Sequence, residues 1–192
     1  MSLIEKIKDL FFRWEVRKRL PEVQEMRAPG FVAYHDVKQV LLLFESEWSE
    51  QNPHVVAMGK RLEADGKKVT YCMFVNKKQA ITSTLPQRIV IDMEHKSRLD
   101  KPDPLALRQV EENHFDVLID LSSDDCRPLN YVLFLANASM KCGMKGAKSA
   151  FYDFTIDLGN LPQPEEGEPL PTPEEKATLL FNHIHHYLKT FK

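Results

Sequence analysis

The chain has 192 residues, 43 % of them hydrophobic and 28 % charged, with 26 Lys and Arg against 28 Asp and Glu. That is enough for one full core with short appendages, and a net charge of -2 argues against any global field that would gather nucleic acid. Three cysteines without a CxxC pair argue against a disulfide framework or a structural zinc site, and no apolar run approaches the roughly 20 residues of a membrane span.

Ser2 with Glu5 matches a capping box, and Leu3, Ile4, Ile7, Leu10, Phe11 and Trp14 recur at helical offsets. Residues 2–20 are therefore expected to form an amphipathic helix, ended by Pro21. Its other face is mainly basic: Lys6, Lys8, Arg13, Arg17, Lys18 and Arg19 against Glu5, Asp9 and Glu15. Such a helix lies in a membrane interface, docks on a protein partner, or packs on its own chain, and the connector 21–38 permits all three. Charges inside its apolar pattern do not read as a signal peptide, so a cytoplasmic protein, at most peripheral to the inner membrane, is expected.

"QVLLLFE" (39–45) is a continuous apolar run, as buried parallel strands are. The next helix has Asn52 as N-cap, Pro53 at its first position and Gly66 as its stop, and "KVTYCMFVN" (68–76) is a second strand with Cys72 as a buried small hydrophobe. "QRIVIDM" (87–93) reads as a third strand, residues 104–113 as a short helix, and "FDVLIDLS" (115–122) as a fourth strand. A helix over 128–139 follows, with Pro128 at its start; "KCGMKG" and "FYDFTID" (151–157) are expected as fifth and sixth strands. "LPQPEEGEPLPTPEE" (161–175) is a Pro- and Glu-rich linker, before a last amphipathic helix striped by Ala177, Leu180, Phe181, Ile184, Leu188 and Phe191.

Strands alternating with helices imply an α/β, three-layer Rossmann-like domain with a mostly parallel sheet of five or six strands, plus N-terminal and C-terminal amphipathic helices. The expected organisation is a basic helix over 1–21, the α/β domain over 39–160, and a linker and helix over 161–192 packed on that same domain. Ligands of such sheets sit beyond the carboxyl ends of the strands, where the strand order reverses. Two loops are polar enough to serve. "ESEWSEQN" offers Ser46, Trp48, Ser49 and Glu50; "SSDDCR" offers Ser122, Ser123, Asp124, Asp125 and Arg127. Hydroxyls and helix N–H groups there suit a small sugar-like or nucleotide ligand, whereas the adjacent aspartates repel phosphate; N-capping of the next helix accounts for the same residues without any ligand. No GxGxxG or GxxxxGK[ST] follows the first strand, so no cofactor is expected. Cys126 lacks a histidine base in reach, and its acidic neighbours raise a thiol's pKa. His183 and His186 stand three apart without a carboxylate or cysteine partner, which reads as a solvated helix edge, and no metal site is expected.

"FDVLIDLSSDDCRPLNYVLFLANASMKCGMKG" resembles a segment of the N-terminal Rossmann-like domain of bacterial heptosyltransferases, with Asp116, Asp120, Leu121 and Gly143 on the matching positions. The whole chain is more similar to a family of uncharacterised bacterial proteins of about this length. In the enzymes a Gly-Asp pair follows the first strand and its Asp is the base; Ser49-Glu50 stand there here. The enzymes bind the sugar nucleotide mainly in a second domain, which residues 158–192 do not supply. The resemblance thus implies either a non-catalytic ligand-binding or interaction protein, or a glycosyltransferase-related enzyme lacking its own donor domain. A membrane-surface adaptor using residues 2–20 is the third reading, and the residues point away from an enzyme.

Overall fold

The computed structural model describes residues 2–46, 52–78, 87–160 and 172–190. Among these residues the apolar runs become six strands: β1 (Gln39–Ser46), β2 (Lys68–Val75), β3 (Arg88–Asp92), β4 (Phe115–Asp120), β5 (Ala138–Met144) and β6 (Phe154–Ile156). The helical periods become α1 (Leu3–Met26), α2 (Pro53–Ala64), α3 (Pro104–Glu112), α4 (Arg127–Leu135) and α5 (Pro173–Thr190). The strands form one sheet in the order β3-β2-β1-β4-β5-β6, every pairing parallel. The fold is therefore α/β and Rossmann-like, with its order reversing between β1 and β4.

Strand period two assigns the layers. Leu41 and Leu43 of β1 join a core with Val110 of α3, Leu129 and Val132 of α4, and Phe12 and Val23 of α1. Val40, Leu42 and Phe44 point the other way, into a core with Val55, Met58 and Leu62 of α2 and Leu180, Phe181, Ile184 and Leu188 of α5. β1 sits between β2 and β4 and is covered on both faces, so it tolerates an unbroken apolar run. α2 starts on Asn52, whose Oδ1 accepts from the N–H groups of His54 and Val55. It stops before Gly66, whose φ of 79° is one that glycine adopts without strain.

Two expectations are corrected. Pro21 does not end the first helix but lies inside α1. The last turn is held from outside: Val23 is buried, and Arg27 caps it through its N–H to Val23 O while its Nε donates to Ala138 O at 2.7 Å. Tertiary anchorage outweighs the lost bond and the ring clash. The helix expected over 128–139 ends at Leu135. Ala138 and Met140 are taken by pairing with Phe115 and Val117, and the Lys141 ammonium donates to the carbonyls of Leu133 and Phe134, closing the last turn. Burial, with the Arg27 charge added, pushes the Lys141 pKa down to about 7.

The structure also settles which face of α1 packs on the body, which the sequence left open. Phe12 packs edge-on against Tyr131 at 4.8 Å, and ion pairs surround it: Lys8 with Asp100 (2.9 Å), Lys101 with Glu15 (2.9 Å), Arg19 with Glu111 (2.8 Å) and Arg127 with Asp9 (3.3 Å). The mixed polar face is turned inward, while Leu3, Ile4, Ile7, Leu10 and Trp14 are exposed.

Candidate functional site at the carboxyl ends of the central strands

β1 and β4 run side by side with Leu43 opposite Asp120, so the segments following each strand emerge together at the reversal of strand order. Glu45, near the end of β1, accepts a hydrogen bond from the Ser123 N–H at 2.7 Å and ties the two segments.

Asp120 organises the base of this tip. It closes an apolar strand and is 1 % exposed, so its carboxylate must be paired. One oxygen accepts from the Ser122 N–H (2.9 Å) and hydroxyl (2.6 Å); the other accepts from Lys148 Nζ (2.8 Å) and the Tyr152 hydroxyl (2.7 Å). Lys148, also buried, donates further to the carbonyls of Ser122 and Ser123 and to Ser122 Oγ, each at 3.1 Å. A charged pair satisfied this completely is a pin that fastens the segment after β5 to the segment after β4. Burial, then the Asp120 charge, pushes the Tyr152 phenol far above its ordinary pKa, so it acts as a donor. Gly143 permits the approach: a Cβ there would lie 2.3 Å from the Tyr152 ring.

The sequence-derived candidates divide accordingly. The Ser122 hydroxyl is committed to Asp120 and Lys148. Asp124 accepts from the Ala147 N–H at 3.3 Å, and its carbonyl from Asn130 Nδ2 at 3.0 Å. Arg127 turns away to Asp9 and Glu5 on α1. Ser123 and Asp125 remain exposed, beside Glu45 and the half-buried Ser46. Trp48, Ser49 and Glu50 lie outside the described residues. Cys126 is buried at the start of α4, and burial followed by the Glu45 charge raises its thiol pKa. Asp116, at the far end of β4, accepts from the N–H groups of Lys38 and Gln39 and positions the entry to β1.

Lys148 and Tyr152 escaped the sequence reading. A lone Asp at the end of an apolar strand was their signal: such a carboxylate requires donors, and the adjacent Ser122 satisfies only one of its oxygens. His185, displaced from the His183 and His186 pair, also escaped the sequence reading. It is 5 % exposed and sits between Tyr34, Asp65 and Arg61. Two clefts open elsewhere. One of about 360 Å³ runs along β6 beneath His183 and Tyr187, and one of about 300 Å³ lies at the amino ends of the strands, among Lys68, Thr70 and Arg88. Among the described residues, no three His, Cys, Asp or Glu side chains gather as a metal site, and no helix is long and apolar enough to cross a membrane.

Comparison with known proteins adds little about chemistry. The E. coli heptosyltransferase WaaC, solved with ADP, is similar to this chain at 12 % identity and a TM-score of 0.44, the match covering 76 % of this chain and 46 % of that one. The chain thus spans less than half the length of that protein. A search of curated proteins finds no match. A family model does match, over residues 8–165, from within the exposed helix to just past the last strand: the chain belongs to DUF6913, a family of unknown function.

Proposed function

We propose that the protein binds a small, hydroxyl-rich, sugar-like molecule at the tip of β1 and β4 and performs no chemistry on it. The observation carrying this reading is the Glu45–Ser123 tie at the reversal of strand order, where an open doubly wound sheet takes its ligands. The charges select the ligand class. Lys148 is consumed by Asp120 and Arg127 by α1, leaving Glu45, Asp124 and Asp125 as the charged side chains on the described parts of these two segments, while Lys77 and Lys78 follow the neighbouring β2. Carboxylates accept hydrogen bonds from sugar hydroxyls and repel phosphate. Asp120 carries four hydrogen bonds and the Cys126 thiol is buried, so neither serves as a free base or nucleophile.

The test is a thermal-shift screen against monosaccharides, sugar phosphates and nucleotide sugars. A ligand at about 100 times its dissociation constant adds about 2.7 kcal/mol, and a rise of about 5–10 °C in Tm is expected for a chain of this length. Ser123→Ala combined with Asp125→Ala removes the rise. A screen flat for every sugar, phosphates that outbind the parent sugars, or a shift that survives the double substitution would each overturn the reading.

A further inference from the structure

Helix α1 has two apolar faces, and only one is covered. Phe12 and Val23 point into the body; Leu10 and Trp14, each two residues and hence about 200° from Phe12, point directly away. The outward stripe of Leu3, Ile7, Leu10 and Trp14, with Ile4 at its edge, runs about 17 Å along the helix. Leu3 is 74 % exposed, Leu10 71 % and Trp14 51 %. A continuous apolar stripe of this length is not ordinary surface for a protein that stands alone.

Over residues 3–18 the charges of the same helix are sorted by side; the exposed Glu22 and Glu25 follow in its last two turns. Its first three acids are bound into ion pairs: Glu5 with Lys8 and Arg127, Asp9 with Arg127 and Arg13, Glu15 with Lys101. Lys6, Arg13, Arg17 and Lys18 are exposed beside the apolar stripe, and Lys18 lies over the Trp14 ring at 5.1 Å. An apolar strip carrying an indole and flanked by bases is complementary to an anionic lipid surface: side chains enter the acyl boundary while the bases meet headgroup phosphates. A second copy of the chain would bring four bases against four bases across the same contact, which disfavours self-association.

We infer that this protein docks on anionic membrane surfaces through the outward face of α1, with the helix remaining fastened to the domain by Phe12 and its ion pairs. The docking is independent of the ligand reading above. The α/β domain then sits on the water-facing side of the helix, held but not inserted.

The experiment is cosedimentation of the full chain with vesicles of phosphatidylcholine alone and of phosphatidylcholine mixed with phosphatidylglycerol. The expected result is binding to the mixed vesicles, weakening as salt is raised and by about fivefold for each base among Lys6, Arg13, Arg17 and Lys18 changed to Gln. In a Trp48→Phe background, the remaining indole emission should shift to the blue on binding. Ile7→Glu with Leu10→Glu, at exposed positions that leave the circular dichroism unchanged and keep Trp14 as the probe, should abolish both signals. Absence of binding to the mixed vesicles overturns the inference. So does equal binding to both vesicle types, binding that survives the double substitution, or a dimer in light scattering that the substitution dissolves, which would make a second copy the occupant.

Discussion

At the scale of single residues, the fold rests on a few buried polar groups whose partners come from far along the chain. Lys148→Met should leave Asp120 charged in the interior without its main counter-charge, and the loss should be about 3–5 kcal/mol by urea unfolding. Adding Asp120→Asn should recover part of that loss, because the stranded charge is then gone. His185 makes a second case, with the pH as the probe. Its Nε2 lies 2.9 Å from Asp65 and its Nδ1 3.4 Å from the Arg61 guanidinium, which fits a neutral ring donating to the carboxylate and accepting from the arginine. Burial lowers its pKa against the pull of Asp65, and Lys189 and Arg61 add to the depression; Tyr34 completes the surroundings. A folded pKa below the unfolded value means that the unfolded chain takes up the proton first. The stability therefore holds above about pH 6.5 and falls as the pH drops below it. Urea midpoints measured between about pH 7 and pH 5 should decline, and less steeply in His185→Gln.

At the scale of elements, the apolar period located the strands and helices but misjudged where two of them, α1 and α4, stop. β1, β2 and β4 were legible because a strand covered on both faces is apolar throughout. Ala138 and Ser139 were read as helix because a local pattern carries no trace of the Phe115 and Val117 partners that draw the chain into β5. The site was legible only in position. "SSDDCR" marks the tip of β4, yet the commitment of Ser122 and the turning away of Arg127 depend on Lys148 and Asp9, which no spacing rule connects to it. α1 shows the same limit: its six apolar offsets were correctly seen on one side, but docking went to Phe12 and a ring of ion pairs instead. Because Pro21 is exposed within a helix whose last turn is anchored by Val23 and Arg27, Pro21→Ala restores a backbone bond without disturbing packing. It should raise stability by about 1–3 kcal/mol and slow amide exchange over residues 22–26.

At the scale of the whole molecule, the strand order places the earliest strand at the centre. β1 finds β2 after only about 30 residues, but Val40 must wait for Val117, roughly 80 residues later, before its other edge is paired. Synthesis at about 5–20 residues per second makes that interval about 4–15 s. During it the backbone of Leu41, Leu42 and Leu43, which ends fully buried, presents an open edge to every other chain nearby. A newborn chain of this protein should therefore bind holdase chaperones until β4 has left the ribosome. Ribosome-bound chains halted before residue 115 should be captured by such a chaperone, and those released after β5 should escape it. Sedimentation of a 1–100 fragment, which carries the open edge permanently, should show aggregation where the full chain remains dispersed.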